Sequence, residues 1–291
     1  MQLTLPASPT TPPANASARP GVRDAARLLI TQADRPLAYA GLGFLAMTPI
    51  TAGLALLDGR LLDGANLWFK PLKFQASLAI YLFTLALMVP LAGPAFRRGW
   101  TGRITVWLAI GTGVFEVGWI TLRSGLGLRS HYAETALGSA MYSLMGVGAV
   151  VLSLACVVLA GGALLASGRL CTLGPVRWGV ALGAVVAFMG AAGIGSMLGE
   201  TPAHYPVDAN DAASRIPVVG WSLERGDLRI AHFLGLHALQ GLFALGLLLV
   251  RTPSRRALPL LIIAALAWLT GVFYLAALAT GGQSPFAAWF V

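Results

Sequence analysis

Residues 136–166 read ALGSAMYSLMGVGAVVLSLACVVLAGGALLA, and this stretch contains no charged side chain. An α-helix needs about 20 apolar residues to cross the roughly 30 Å hydrocarbon core of a bilayer. The stretch exceeds that length, and it lacks the alternation of polar and apolar residues that marks the strands of a membrane barrel. Because lipid offers no partners to an open backbone, the stretch is predicted to be a transmembrane helix.

Six further stretches of similar character flank this one along the chain. The predicted spans cover residues 37–57, 74–93, 104–122, 136–166, 177–199, 230–250 and 257–281. The expected fold class is therefore all-α, a polytopic bundle of seven transmembrane helices. The composition agrees, because 57% of the residues are apolar and only 11% are charged, whereas soluble domains carry about 25% charged residues. A soluble globular protein and a disordered chain are both excluded.

The segments outside the spans have distinct compositions. Residues 1–21 are rich in Pro, Ala, Ser and Thr and are predicted to be a disordered tail, without the apolar region of a secretory signal. Residues 22–35 place apolar side chains on one helix face and arginines on another, which predicts an amphipathic helix lying on the membrane surface. The seven-helix domain occupies residues 36–291, and its long loop, 200–229, is predicted to be a lid on the outer side.

The distribution of basic residues predicts the orientation in the membrane. Twelve of the 20 Lys and Arg residues lie in the N-terminal segment and in the loops after the second, fourth and sixth spans. Basic residues concentrate in cytoplasmic loops, so the N-terminus is predicted to be cytoplasmic and the C-terminus outside. Arg greatly outnumbers Lys, and Ala, Gly and Leu are abundant, which favours a bacterial source and hence the inner (plasma) membrane. No basic run is interleaved with aromatic residues, so nucleic acid is not an expected partner.

Ionisable side chains within the spans crowd into the half that faces outward. Charged groups there are costly and are candidates for function. Basic side chains that open the second span or follow the third are predicted to bind an anionic ligand or a lipid head group, with Gln240 as a further ligand-binding residue. These candidates are Lys70, Lys73, Arg123 and Arg129.

Three other side chains of the outer half are candidates for proton transfer or for orienting a ligand, namely Glu116, His131 and His237. Glu116 and Arg123 are seven residues apart on one helix stripe, about 10.5 Å along the axis, which is too far for a direct pair. Each therefore needs a partner from another helix. The leading hypothesis is a pocket that opens to the periplasm and binds a small anionic ligand or lipid head group. These residues do not decide whether the pocket is also catalytic.

Two alternative functions remain at this point. A membrane redox protein would use a haem b or a metal ion, with ligands drawn from His131, His204, His232 and His237. His232 and His237 are five residues apart, so they point about 140° away from each other on a straight helix and do not converge on one metal. A small-molecule transporter would need polar groups in the inner half as well, and few occur there.

Three motifs carry a resemblance to a known group of proteins. They are NLWFKPLKF at 66–74, RSHYAETALGSAMYSLMG at 129–146 and GWSLERGDLRIAHFLGLHALQ at 220–240. Together they resemble a group of uncharacterised bacterial seven-helix inner-membrane proteins, and the resemblance extends over most of the chain from about residue 36. It implies the architecture of a multi-pass membrane protein and implies no chemistry.

Overall fold

The computed structural model describes residues 19–133, 135–167, 169–200 and 215–286. Within those ranges, seven helices are long and apolar enough to cross a membrane. The predictions of an all-α chain and of seven helices with the length and apolar character of membrane spans are confirmed. In chain order the helices are α1 (Val22–Thr31), α2 (Arg35–Leu57), α3 (Phe69–Arg98), α4 (Trp100–Gly125), α5 (Ala136–Leu165), α6 (Gly174–Phe188), α7 (Gly195–Glu200), α8 (Leu228–Leu248) and α9 (Ser254–Thr280).

The fifth span combines three segments, because a π-helical turn, Met189–Ile194, joins α6 to α7 without a break. The remaining spans are α2, α3, α4, α5, α8 and α9, and the short α1 precedes them. Only one small sheet occurs in the described ranges, a hairpin of β1 (Leu61–Leu62) and β2 (Ala65–Asn66) between α2 and α3.

Helix α3 is the centre of the bundle, since it packs against α2, α4 and α5. Its buried side chains, among them Leu82, Leu85 and Met88, belong to the main apolar core, to which α2, α4, α5, α6 and α8 also contribute. The helix is broken near its end at Gly93, whose φ of 85° lies in the left-handed region that favours glycine. Beyond the break, Arg97 pairs with Asp34, which also caps the start of α2 by accepting a hydrogen bond from the Leu37 backbone N–H.

Helix α6 approaches α8 through small residues. A Cβ atom built on Gly179 would lie 2.3 Å from the backbone oxygen of Leu242, and one on Gly183 would lie 3.0 Å from the Cα of Leu239. In the π-helical turn, Gly190 meets Gly235 of α8, where a Cβ would approach to 2.6 Å. Only glycine permits such close backbone approach, so these positions determine how the two helices pack.

One end of the bundle carries the connections 58–68, 126–133 and 215–227 together with residues 281–286, and we call it the loop face. These connections are joined to one another across the bundle end. The Arg60 guanidinium donates to the Gly125 carbonyl oxygen over 3.1 Å, and a backbone bridge pairs Arg225 with Gln283. The loop face is therefore a connected layer, and Lys70, Lys73, Arg123, Arg129 and His131 lie in it or at the helix ends that meet it.

The hairpin before α3 fixes where that helix begins. Its turn residues Asp63 and Gly64 both have positive φ, 53° and 73°, as a two-residue hairpin turn requires. Asp58 accepts a hydrogen bond from the Trp68 indole N–H over 2.9 Å, and it also forms an ion pair with Arg60. The Arg60 guanidinium and then the Trp68 indole lower the pKa of Asp58 below its usual range. The start of α3, with its two lysines, is thus held against the loop face.

Candidate functional site

Two of the four cations predicted to bind an anion are bonded to the protein's own loops. Arg129 forms a bidentate ion pair with Asp63 of the hairpin, with a shortest N···O distance of 2.6 Å. Arg123 donates to the backbone oxygen of Arg129 over 2.9 Å, and its guanidinium carbon lies 5.4 Å from the centre of the Trp119 ring. Both arginines connect the end of α4 to the hairpin.

Lys73 is similarly bonded to a loop. Its ammonium donates to the backbone oxygen of Val219 over 2.8 Å, across 146 residues of sequence. Nearby, Arg229 forms a bidentate ion pair with the buried Asp227 and donates to the Gly220 carbonyl oxygen over 2.7 Å. Lys73 thus holds the described part of the long loop against α3, and one of its three N–H donors is bonded there.

Lys70 differs from its neighbours. No hydrogen bond or ion pair of its ammonium is found within the described ranges, although the residue is only partly exposed. Its electrostatic neighbours include two cations, Lys73 and Arg229, and two carboxylates, Asp63 and Glu116. Asp63 is already bonded to Arg129, and Arg229 to Asp227, so Lys70 retains a donor set that no described partner fills.

His131 lies beside Lys70 within an aromatic cluster. Its ring centre is 6.2 Å from that of Phe74 and 5.3 Å from that of Tyr142, and its Nδ1 is 3.2 Å from the Ser130 hydroxyl. Burial, with a smaller contribution from the positive charge of Lys70, lowers the pKa of His131 to about 3. The imidazole is therefore neutral near pH 7, and it offers hydrogen bonds without adding charge to the site.

Beneath this cluster lie two buried polar side chains with unsatisfied atoms. Glu116 is 5% exposed, and its Oε1 has no hydrogen-bond partner among the residues that the structure describes. Gln75 is fully buried, and both polar atoms of its amide lack a described partner. Buried polar groups are ordinarily hydrogen-bonded, so each exception calls for an explanation.

Helix geometry places these two side chains at one level of the α3–α4 interface. Leu78 of α3 packs toward Gly113 of α4, where a Cβ would lie 4.0 Å from the leucine Cδ1. Gln75 and Glu116 are each three residues from that contact, on the same helix faces and toward the loop face. We call Lys70, Glu116, His131 and Tyr142 the Lys70 site. Gln75 lies at the level of Glu116, but it is five residues from Lys70 and therefore on a different face of α3.

The other candidate residues belong to different surroundings. His232 makes its hydrogen bond to the Gly190 backbone oxygen, with an N···O distance of 3.1 Å, in the α6–α8 interface. His237 packs on Phe233 with ring centres 4.2 Å apart, and no hydrogen bond among the described residues joins it to His131 or Glu116. Gln240 donates to the Thr84 hydroxyl of α3 over 3.2 Å and leaves its Oε1 without a described partner.

The histidines do not form a metal cluster in the described ranges, which hold no group of three or more His, Cys, Asp or Glu side chains placed to bind an ion. His204, the fourth candidate ligand, lies outside these ranges, as does most of the loop predicted to be a lid. The haem or metal hypothesis remains a prediction.

The sequence analysis did not identify Gln75, Tyr142 or Asp63 as members or neighbours of the site. Gln75 carries no charge, so a search for ionisable groups within spans passes over it, although a lone glutamine in an apolar helix is itself a usable signal. Tyr142 looks like any aromatic residue in an apolar run. Asp63 is recognisable only once the hairpin brings it to Arg129, 66 residues away.

Comparison with known proteins adds no further constraint on the Lys70 site. No family model, no curated protein and no solved structure matches this chain. Of the predicted site residues, Lys70, Glu116 and His131 lie near one another. Lys73, Arg123 and Arg129 are bonded to loops. His237 and Gln240 lie on α8 in other surroundings. The argument for function therefore rests on the chemistry of these side chains.

Proposed function

We propose that this chain is a bacterial inner-membrane protein that binds a small anionic ligand or a lipid head group at the Lys70 site. The observation that carries the proposal is the ammonium of Lys70. It has no hydrogen bond or ion pair in the described ranges, while the neighbouring cations Lys73, Arg123 and Arg129 are bonded to loops. A partly buried ammonium with free donors is suited to a phosphate or carboxylate.

Two further polar groups would serve the rest of such a ligand. Glu116 Oε1, which has no described partner, accepts a hydrogen bond from a hydroxyl or amine. His131 is neutral near pH 7, so it orients the ligand through a hydrogen bond and adds no charge to the site. A ligand that fills these positions removes the cost of leaving buried polar atoms unpaired, which is about 1–3 kcal/mol for each group.

The proposal places the loop face outside the cytoplasm. Twelve of the 20 Lys and Arg residues belong to the opposite end of the bundle and to the N-terminal segment, as expected of a cytoplasmic side. On this orientation the N-terminus is cytoplasmic, the C-terminus is outside, and the Lys70 site is reached from the periplasm or from the outer leaflet.

The test compares two substitutions of loop-face cations. Lys70→Met keeps the length of the stem and removes the charge, whereas Arg60→Gln alters an exposed cation already paired with Asp58. Gently purified protein is examined by native mass spectrometry for retained anionic ligand, and binding of phosphatidylglycerol is titrated. Lys70→Met is expected to lose the retained ligand and to weaken binding by roughly tenfold or more, the value of one charged hydrogen bond. Arg60→Gln is expected to bind like wild type.

Equal retention in both variants would contradict the proposal. The same preparation tests the alternatives, because the absorption band of a bound haem or a stoichiometric metal content would support a redox protein. Uptake of a solute into proteoliposomes that contain the protein would support a transporter.

A further inference from the structure

A turn of the loop face, residues 216–221, joins the starts of α3 and α8. The Lys73 ammonium of α3 donates to the backbone oxygen of Val219 over 2.8 Å, and the Arg229 guanidinium of α8 donates to that of Gly220 over 2.7 Å. Two cations from different helices therefore hold two successive carbonyl groups of one turn. We call residues 216–221 the clasp turn.

Helix geometry places the clasp turn over the opening between α3 and α8. Thr84 follows Lys73 by eleven residues on α3, which is close to three full turns, so both side chains lie on one face. Gln240 follows Arg229 by the same interval on α8, and its amide donates to the Thr84 hydroxyl over 3.2 Å. The faces that carry Lys73 and Arg229 are thus turned toward each other, and the clasp turn connects them at the loop face.

Lys70 lies beside this opening. It precedes Lys73 by about one helical turn, nearer the loop face and about 60° around α3. Lys73 and Arg229, the two cations that hold the clasp turn, are both electrostatic neighbours of Lys70. Arg229 is also an electrostatic neighbour of Tyr132, whose ring centre is 4.9 Å from that of Tyr142 in the Lys70 site. The clasp turn therefore borders the Lys70 site at the loop face.

The clasp turn is held by hydrogen bonds and not by packing. None of its six residues is buried, and Val218 is 40% exposed. Val218 also has a φ of 66°, a conformation that is strained for a β-branched residue. The segment that follows is anchored, because Ser222 and Asp227 are buried and the Ser222 backbone N–H donates to the Asp227 carboxylate. Since a segment with few buried contacts opens more readily than its surroundings, the turn can open while the anchored segment stays in place.

We infer that the clasp turn is a gate over the Lys70 site, and that its bonds to Lys73 and Arg229 determine how often it opens. This inference rests on the proposed function and adds a regulation of the same site. An anionic ligand reaches the Lys70 ammonium from the loop face when the turn leaves α3, and the turn then closes over the bound ligand. The strain at Val218 opposes the two charged hydrogen bonds, which keeps the closed and open states close in free energy.

Hydrogen exchange of ligand-free wild type in detergent tests whether the turn opens by itself. The Val219 and Gly220 amides donate to carbonyl groups within the turn, whereas the Ser222 amide donates to Asp227 in the anchored segment. We expect the amides of the turn to exchange at least roughly tenfold faster than that of Ser222, and Lys73→Met to widen this difference. Equal protection of the two segments would overturn the inference, because the turn would then not open independently.

The rates of ligand binding distinguish a gate from a binding residue. The probe is dihexanoylphosphatidylglycerol, a soluble short-chain form of phosphatidylglycerol, and its binding to immobilised protein is followed by surface plasmon resonance. Lys73→Met is expected to raise the association rate by roughly tenfold, the value of one charged hydrogen bond. Loss of a cation alone would slow the arrival of an anion, so faster association would come from opening of the turn.

Arg60→Gln is the matched control for Lys73→Met. It also removes a loop-face cation that donates to a backbone oxygen, that of Gly125, but it does not touch the clasp turn. Arg60→Gln is therefore not expected to accelerate binding. Slower or unchanged association in Lys73→Met would overturn the inference.

Val218→Asn should act in the opposite direction. Asparagine adopts positive φ more readily than valine, so this substitution relieves strain in the closed turn. Association and dissociation should both slow by roughly tenfold while Kd stays the same, because closure is stabilised with and without the ligand. Val219→Asn makes the same chemical change at a residue without positive φ, and its rates should equal those of wild type. Equal rates in Val218→Asn and wild type would overturn the inference.

Lys70→Met separates failure of the gate from failure of the proposed function. If Lys70→Met abolishes binding while Lys73→Met and Val218→Asn leave both rates unchanged, the gate is overturned and the proposed function stands. If Lys70→Met binds the probe like wild type, the proposed function is overturned, and the gate with it.

Discussion

Helix α6 packs on α8 through glycines whose backbones nearly touch, whereas α3 packs on α4 around polar side chains that find no partner. In the first interface a Cβ on Gly179 would lie 2.3 Å from a backbone oxygen of α8. In the second, Gln75 and one oxygen of Glu116 are buried without a described hydrogen bond. The first interface gains its stability from close packing, and the second gives up stability at the place where a ligand is proposed to bind.

This difference separates the part of the bundle that holds the fold from the part that is proposed to bind a ligand. Substitutions in the α6–α8 interface should alter folding and should not cause a loss of binding alone. Substitutions in the Lys70 site should alter binding, and removal of the unsatisfied Gln75 amide near it should raise stability. The predictions below test this separation, beginning with the largest effect.

Gly179→Leu is expected to prevent assembly of the bundle. Its Cβ would meet backbone atoms of α8, which cannot move aside as a flexible side chain can. We expect a loss of more than about 4 kcal/mol in the free energy of unfolding, the range of severe core disruption. Gly53→Leu on α2 is the control, because a Cβ there meets no atom within 4 Å. Size-exclusion chromatography and thermal unfolding measure both, and a monodisperse, stable Gly179→Leu protein would remove the contrast between the interfaces.

The number and order of the spans could be predicted from sequence because each span is a long apolar run, a property read locally. The hydrogen-bond partners of the basic side chains could not be predicted in this way. Lys70 and Lys73 are one turn apart in the same motif, and nothing in NLWFKPLKF distinguishes them. What distinguishes them is Val219, whose backbone oxygen accepts a hydrogen bond from Lys73 across 146 residues, whereas no described residue accepts one from Lys70. The sequence thus predicts which side chains lie near one end of the bundle. It does not predict which of them form hydrogen bonds or ion pairs with the protein's own loops.

Asp227→Asn tests the loop-face end of α8 and should have the next largest effect. Asp227 is 2% exposed, caps the helix by accepting from the Arg229 backbone N–H, and forms the ion pair with the Arg229 guanidinium. Loss of its charge is expected to cost about 2 kcal/mol of stability, because a buried charged hydrogen bond is removed. Asp63→Asn is the matched control. Its ion pair with Arg129 is largely exposed, so we expect less than about 1 kcal/mol.

Chemical unfolding in detergent measures both Asp→Asn variants. Equal losses in the two would mean that burial does not distinguish these ion pairs. The ion pair at the start of α8 would then contribute no more to stability than an exposed ion pair between loops.

Gln75→Leu should act in the opposite direction on the α3–α4 side. The leucine removes two buried polar atoms that lack a described partner, so stability is expected to rise by about 1–2 kcal/mol. Binding of phosphatidylglycerol should stay unchanged, because Gln75 is five residues from Lys70 and lies on a different face of α3. Weakened binding would add Gln75 to the Lys70 site, and a fall in stability would show that its amide contributes to packing.

The smallest expected effect concerns pH and His131. Because its pKa in the folded protein is lowered to about 3, while the unfolded value is about 6.5, the unfolded chain binds more protons between these values. Stability should therefore fall as the pH drops below about 6.5, by about 1 kcal/mol between pH 7 and pH 5.5 from this residue alone. His131→Phe keeps a ring against Phe74 and Tyr142 and should lose that part of the slope. Thermal unfolding of both proteins at the two pH values gives the difference. Identical slopes would mean that His131 reaches solvent, and the Lys70 site would then be open to water and not a sheltered pocket.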